Sequence, residues 1–514
     1  MNHPAGERRG VLSPPFPARH IMQSIDLTRI ITDLDTLYSA LEPTCREAFL
    51  VGGAIRDHFL GASSTDFDIV VWGDPESAAK TFARKTRGTF VILDSEEDIY
   101  RVAKGGETYD FCAPKGPDAA SDARDRDFTI NALSARVWPR GDGTDTPLID
   151  PTGGLSDLAA GVIRVPSLSV LSTDPVRMLR AFRFAATLGF TIDPKTTDEI
   201  HARCRDLLSG ARERIRDEWT KLLSADLVYP VIRRMDDAGI LPVMFPEIET
   251  MRGVSQNRFH SYDVWGHSLA CLEEVELLLT TYPERLGGFE GIIRPYLARP
   301  LGGGWTGASL LKLTALFHDV GKPVTRDVRE DGEATFYGHE NKGAVTFRSM
   351  CLRLLMGRRA VRTGTVLIKN HMRLLSLSRM EKITPRALGR LIRDVGDNLP
   401  GVVLLGLADT GAGHTDGRRV DNGDMLARSI MEAYLRVLSD DDNTPAPLLS
   451  GRDIMKIADI GQGVLVGRLK SELLEAQAAG EVTTKGAAEW FITKRADALK
   501  LMRKEHRESS DGQR

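Results

Sequence analysis

The chain has 514 residues, 42% hydrophobic and 27% charged, a soluble globular composition long enough for two to four domains. Its net charge of -3 excludes a wholly basic nucleic-acid binder, so contact with a polyanion must come from local patches. The five cysteines, Cys45, Cys112, Cys204, Cys271 and Cys351, are scattered, which excludes a disulfide framework or zinc knuckle and points to a reduced, cytoplasmic setting.

Residues 1–25 carry no apolar run of the secretory type and read as a disordered extension, with Met22 an alternative start. Residues 26–165 read as an α/β head. AFLV, FDIVVWG, TFVILD and TYDFCA predict strands, and DPESAAKTFARKT predicts a helix opening at Asp74-Pro75. From about Ser172 the apolar period becomes helical, as in DPVRMLRAFRFAATLGF, where Val176, Leu179, Phe182 and Ala186 form the expected buried stripe. The divisions expected are a helical neck over 166–250, a helical unit over 251–415, and a helical C-terminal region with a solvated tail over 416–514. Within the second unit, the Gly- and Pro-rich stretch 287–309 reads as a surface insertion. No apolar run reaches the ~18 residues that cross a membrane.

In the strand that opens TDFDIVV, Asp66 and Asp68 are two residues apart and share a face, roughly 6.5 Å from each other along the backbone. Carboxylates so placed repel unless a cation lies between them, and Mg²⁺ takes one or two carboxylates plus substrate phosphates. Alone, such a pair is an ordinary strand start. Upstream, though, Gly52 and Gly53 allow close approach of a phosphate and a helix start behind them favours the anion, while Arg56 offers a two-point clamp. Downstream, Asp110 is a candidate third carboxylate. Arg126, Asp127 and Asn131, in RDRDFTINALS, are candidates to shape the nucleotide site.

The ordered motifs LVGGAIRDHFLG, TDFDIVV, RDFTINALS and DPTGGLSDL resemble the class II tRNA nucleotidyltransferase and bacterial poly(A) polymerase family, of the DNA polymerase β-like superfamily. The resemblance implies an α+β fold, with a mixed-sheet head followed by a helical neck and body. It implies that Asp66 and Asp68 hold Mg²⁺, that Gly52, Gly53 and Arg56 bind the triphosphate, and that Asp127 and Asn131 help shape the site. It also implies transfer of C or A from CTP or ATP to the 3′ end of tRNA. A bacterial poly(A) polymerase shares every head motif and is an alternative.

The neck carries a second signal. Asp174 and Arg177 lie on adjacent turns of one helix face, with Arg180 and Arg183 continuing that side. A carboxylate that accepts and a guanidinium that donates can together read the edge of a base. The family pattern is E-D-x-x-R. Here it is TDPVR, so Thr173 replaces the glutamate. ERIRDE, 213–218, matches the family's E-R-x-x-x-E brace. The connection PKGPDAASDARD between head motifs is shorter than in many CCA-adding relatives, and that shortening accompanies CC-only addition, an alternative to full CCA addition.

A third constellation follows in order: His267, His318-Asp319, His339, His371 and Asp409. Imidazole with carboxylate suits a transition metal in a helical cage. The set resembles the HD-domain phosphohydrolase superfamily, which implies metal binding by His267, His318, Asp319 and Asp409, with His339 and His371 as further candidates. The metal would be Ni²⁺, Mn²⁺ or similar and the activity 2′,3′-cyclic phosphodiesterase or related hydrolysis. A phosphohydrolase whose head only binds RNA is the alternative from another class. Basic residues cluster at Arg203, Arg205, Arg212, Arg214, Arg216 and Lys221, then at Arg353, Arg358, Arg359, Arg362 and Lys369. These are candidate phosphate contacts for RNA.

Overall fold

The computed structural model describes residues 24–139, 145–256, 262–380, 384–413, 421–439, 447–478 and 481–497. The chain divides into two compact units, which meet in sequence at Pro246 and Glu247.

The first unit is built on an eight-stranded sheet: β1 (Ser24–Asp26), β2 (Cys45–Val51), β3 (Asp66–Gly73), β4 (Thr89–Asp94), β5 (Ile99–Lys104), β6 (Glu107–Cys112), β7 (Ser134–Trp138) and β8 (Asp145–Ile149). Their order across the sheet is β1-β8-β7-β2-β3-β6-β5-β4. All neighbours are antiparallel except β3 and β6, so the sheet is mixed. Successive side chains of a strand face opposite ways. Thus Phe67, Ile69 and Val71 enter the main core with Phe82, Tyr109 and Phe111. Val70 and Trp72 enter a smaller cluster on the other face, with Phe49 and Val51. Asp66 and Asp68 share that second face by the same alternation. The Pro75–Thr86 helix covers the main core; Asp74 caps it by accepting from the Ser77 amide (2.9 Å), and Arg87 ends it in the left-handed region.

The described residues begin at Ser24, inside the segment read as a disordered extension. Ser24 and Ile25 belong to β1, which pairs with β8, and Ile25 is buried. The rest of that segment, and the tail from 498 on, lie outside the described residues.

The neck helices Val176–Leu188 and Arg212–Leu223 follow in the same unit. Val176, Leu179 and Phe182 are buried as expected, but Ala186 is only half-buried, and Met178, Ala181, Phe184 and Ala185 complete the stripe.

The second unit is helical. Its centre is the Leu399–Ala412 helix, buried almost all round from Leu399 to Ala408. The Val264–Arg285, Gly307–Phe317 and Arg358–Asn370 helices pack against it. The stretch 287–309 is not a surface insertion. It forms the Glu290–Ala298 helix and a hairpin, Pro300–Gly302 with Trp305–Thr306, while Ile293, Tyr296, Leu301 and Trp305 are each less than 5% exposed. The glycines that suggested a loop, Gly302, Gly303 and Gly304, all have positive φ and make only the hairpin turn. A methyl group at Gly401 would lie 2.0 Å from the Tyr296 hydroxyl, so this helix sits tightly against the central one. A further small core, including Leu449, Ile454, Leu469 and Ile492, joins the last described helices. Among the described residues no helix is long and apolar enough to cross a membrane.

Candidate functional site

The head site begins where β2 ends. Gly52 has φ +78°, and a Cβ there would lie 2.8 Å from Asp68 Oδ2, so only glycine fits beside that carboxylate. Asp66 is exposed and accepts from the Thr108 hydroxyl on β6; Asp68 is half-buried. Burial raises the Asp68 pKa, Arg126 opposes it, and the carboxylates of Asp110, Asp66 and Asp127 raise it further. Asp68, whose ionised form is penalised in this way, and Asp66 beside it are hard oxygen donors that suit a divalent cation of the Mg²⁺ kind. Asp110 stands in register with Asp68, but both its oxygens accept from Arg101, each at 2.7 Å.

Behind these acids runs a chain of charge-assisted bonds. Arg56 donates to Asn131 Oδ1 (2.7 Å) and to Asp57 (2.6 Å). The Asn131 amide donates to Asp127 (3.0 Å), and Arg180 donates to the other Asp127 oxygen (2.8 Å). Burial pushes Asp127 up, yet Arg180, Asn131 and the Phe128 amide outweigh it and hold the carboxyl below its ordinary value. Arg183 then donates to buried Glu218 (2.5 Å), the last residue of ERIRDE, which ties the two neck helices together. Phe184 sits among three guanidiniums, those of Arg56, Arg180 and Arg183, at 5.0, 5.8 and 3.8 Å from its ring centre. Arg126 is held by Asp122 (3.0 Å).

Asp174 and Arg177 face the same space. Their side chains are 3.8 Å apart, and each also has a second partner. Arg214 donates twice to Asp174 (3.1 and 2.6 Å). Arg177 donates to the carbonyls of Val170 (3.2 Å) and Asp125 (3.0 Å). Thr173 donates to the Val170 carbonyl (3.0 Å), so its hydroxyl serves the backbone where the family pattern has a glutamate. One cavity of about 430 Å³ is lined by Gly52, Gly53, Arg56, Asp66 and Asp68 from the head and by Asp174, Arg177 and Arg180 from the neck. Arg126, Asp127 and Asn131 line it too, whereas Asp110 does not.

The second unit gathers all six residues of the His-Asp constellation. His267, His318, Asp319 and Asp409 form one group, and Asp319, His339 and His371 form another; in each, the ligand atoms lie within 4.8 Å of one another. The Nδ1 atoms of His318, His339 and His371 donate to the carbonyls of Ala315 (2.8 Å), Phe336 (2.8 Å) and Ile368 (2.6 Å). A carbonyl only accepts, so in the neutral form of each ring Nε2 carries a lone pair directed into the cage. The Nε2 atoms of His339 and His371 are 3.3 Å apart, and His318 Nε2 is 3.2 Å from Asp319 Oδ2. Acceptors facing one another at these distances fit a bound cation. At His318 a proton competes for that place: burial pulls its pKa down, but Asp319 holds it well above the usual imidazole value. Asp319 and Asp409 are held well below the carboxylate range against their burial, Asp319 by His318 and Lys322, Asp409 by His267 and His318. Imidazole and carboxylate in this number suit a transition metal.

The basic clusters are less bare than their sequence suggests. Arg203 pairs with Glu199, Arg214 with Asp174, Arg216 with Asp217 and Arg353 with Glu247. Arg205, Arg212, Lys221, Arg358, Arg359, Arg362 and Lys369 are exposed. Sequence reasoning did not find Arg101, Asp122 or Phe184. The signal for Phe184 was its i,i+4 spacing from Arg180.

Comparison with known proteins agrees with this layout. Residues 48–164 match the family model of the poly A polymerase head domain, 189–251 that of a probable RNA and SrmB-binding site of polymerase A, and 296–399 the HD domain. The chain is 33% identical over 466 residues to an A-adding tRNA nucleotidyltransferase of Deinococcus radiodurans, covering 89% of this chain and 97% of that one. It is 33% identical over 455 residues to a CC-adding tRNA nucleotidyltransferase of Thermus thermophilus, covering 87% and 94%. The fold is like that of the Thermotoga maritima CCA-adding enzyme complexed with tRNA, with a TM-score of 0.57 at 20% identity over 92% of this chain and all of that one. Fold and site together define an enzyme of the nucleotidyltransferase class, followed in sequence by an HD domain. The chain belongs to the tRNA nucleotidyltransferase family.

Proposed function

We propose that this chain is a cytoplasmic enzyme that adds C, A or both to the 3′ end of tRNA from CTP and ATP, with no nucleic-acid template. The observation that carries this is the single cavity in which the Asp66–Asp68 pair, the Gly52–Gly53 turn and the Asp174–Arg177 pair meet. The names of its relatives support it, as do solved structures of similar fold in complex with tRNA, CTP or ATP.

In the reaction the RNA 3′ oxygen bonds to the α-phosphorus of the nucleotide, and the bond to pyrophosphate breaks. Asp66 and Asp68 would hold Mg²⁺, which lowers the pKa of the attacking hydroxyl and neutralises charge on the departing oxygens. Gly52 leaves room for the phosphates next to Asp68. Arg56, oriented by Asn131 and Asp57, offers its guanidinium to them. Asp174 and Arg177 accept from and donate to the edge of the incoming base. Incubating the protein with tRNA that lacks CCA, with CTP and ATP separately and together, tests this. No extension with any combination would overturn it.

One observation favours CC-only addition. The segment between β6 and Arg126 is a compact turn around the Ala119–Arg124 helix, pinned by the Asp118–Ser121 capping box and by Asp122, which accepts from the Lys115 amide (3.1 Å). In many CCA-adding relatives a longer, flexible loop stands there. Terminal A on the product would exclude this reading. For the HD unit the six-residue cage supports metal-dependent hydrolysis of 2′,3′-cyclic phosphates. Turnover with Ni²⁺ or Mn²⁺ that disappears in His318→Ala is the expected result, and its absence in the parent protein would exclude it.

A further inference from the structure

One row of paired residues crosses the head sheet beside the acids. Asp68 on β3 pairs with Asp110 on β6, Asp110 with Arg101 on β5, and Arg101 with Val91 on β4. Paired residues on adjacent strands project to the same face. The row therefore runs from the carboxylate site to the open edge of the sheet. Arg101 keeps 38% of its side chain exposed and Val91 is 41% exposed, so this path is accessible from solvent.

The chemistry of transfer gives the path a direction. In an in-line displacement the attacking oxygen and the leaving pyrophosphate lie on opposite sides of the phosphorus. The residues that suit the triphosphate, Gly52, Gly53 and Arg56, follow β2, on one side of β3. On the other side come β6, β5 and β4. With the triphosphate on the β2 side, the attacking RNA end arrives over β6 and β5. Those three strands carry two cations, Arg101 and Lys104. Lys104 is paired with Asp33, which precedes the Leu34–Leu41 helix packed on the opposite face, so Arg101 is the cation on the path.

Arg101 is also oriented for a second ligand. Its Nε and Nη2 donate to the two oxygens of Asp110, at 2.7 Å each. That uses one edge of the planar fork. The other edge, with both Nη1 protons and the second Nη2 proton, has donors to spare. We propose that Arg101 binds a backbone phosphate of the RNA acceptor strand next to its 3′ terminus, and that Asp110 locks the guanidinium for this contact. The inference rests on the nucleotidyl-transfer reading above and assigns Arg101 to the RNA rather than to the nucleotide.

The test uses the full chain and a tRNA lacking CCA, in two arms. The first measures RNA affinity against salt, with no turnover. Arg101→Ala is expected to weaken binding about tenfold and to lower the slope of log affinity against log salt by roughly 0.7 to 0.9, the loss of one phosphate contact. Arg101→Lys is expected to restore the slope and part of the affinity, because it keeps the charge but not the fork. The second arm measures addition: KM for RNA should rise with KM for CTP within about twofold. Unchanged affinity and slope in Arg101→Ala, with only kcat or KM for CTP altered, would reduce Arg101 to a prop for Asp110 and overturn the proposal. Arg101→Gln carries the same test where the alanine variant does not fold. A parent protein that binds RNA but extends none would sink the transfer reading, while the binding arm would still decide the role of Arg101.

Discussion

The two candidate metal sites of this chain use acids in opposite ways. In the head, Asp66 and Asp68 offer oxygen alone, at the rim of an open cavity, and Asp66 is exposed. In the HD unit, four imidazoles surround two carboxylates, and His267, His318, Asp319 and His371 are each 1% exposed or less. The first arrangement is half a site and depends on a substrate's phosphates to complete a coordination shell. The second is complete from protein alone. On the proposed function, the head site would gain its cation with its nucleotide, whereas the cage would hold its own between turnovers.

The sharpest way to break this comparison is Asp68→Asn. Addition should fall by about 10³-fold, the scale for removing a preorganised charge from a transition state, while hydrolysis by the HD unit stays intact. The same variant has a second expected effect. The folded pKa of Asp68 is raised, so the ionised group costs stability as pH climbs from the unfolded value near 3.9 through the folded one. Without divalent ions, then, Asp68→Asn should melt about 1–3 °C above the parent at neutral pH. A lower melting temperature would show that Asp68 is structural.

Next in size is Asp319→Asn. Asp319 belongs to both groups of ligands, so metal retained through dialysis should drop by about 10²-fold in affinity while CTP addition stays within about twofold. Elemental analysis of the dialysed protein reads this directly. Equal metal content in parent and variant would show that Asp319 holds no metal.

Asp127→Asn should destabilise the first unit by about 2–3 kcal/mol, because it takes from a partly buried Arg180 the nearer of its two carboxylates, leaving Glu218 at 3.7 Å. Its pH signature is opposite to that of Asp68. The folded pKa is lowered, so the stabilisation is complete above the unfolded value near 3.9 and is lost as pH falls through the folded one. Denaturant midpoints should therefore separate parent and variant more widely at pH 7 than at pH 3.

The smallest expected effect belongs to Arg214→Ala, which frees Asp174 from its bidentate partner. KM for CTP and for ATP should change by only about two- to fivefold, but by different factors if, as proposed, Asp174 reads the base. Identical factors would indicate that Arg214 does no more than brace the neck.

Much of this was legible from residue order. The two-residue alternation around Asp66 and Asp68 gave both the strand and the shared face, and the six-residue HD set could be picked out because its order along the chain resembles that of a known superfamily. Contacts across strands were not legible. Nothing local in IYRVAK marks Arg101 as the partner of Asp110, because β5 and β6 pair through a register that the hairpin sets. The stretch 287–309 was misread for a related reason. Its glycines and prolines dominate a local reading, while the burial of Ile293 and Tyr296 depends on a helix about a hundred residues further on. Likewise, the charged faces of the neck looked free because their acidic partners, Glu199 and Asp174, lie on other turns or other helices.

Asp319 presents Oδ2 towards His267 and His318 and Oδ1 towards His339 and His371. A carboxylate is a rigid three-atom lever, with one torsion setting for both oxygens. That torsion is therefore shared by both ligand groups: a change at Asp319 acts on the two together, whereas a change at His267 or His371 acts directly on one.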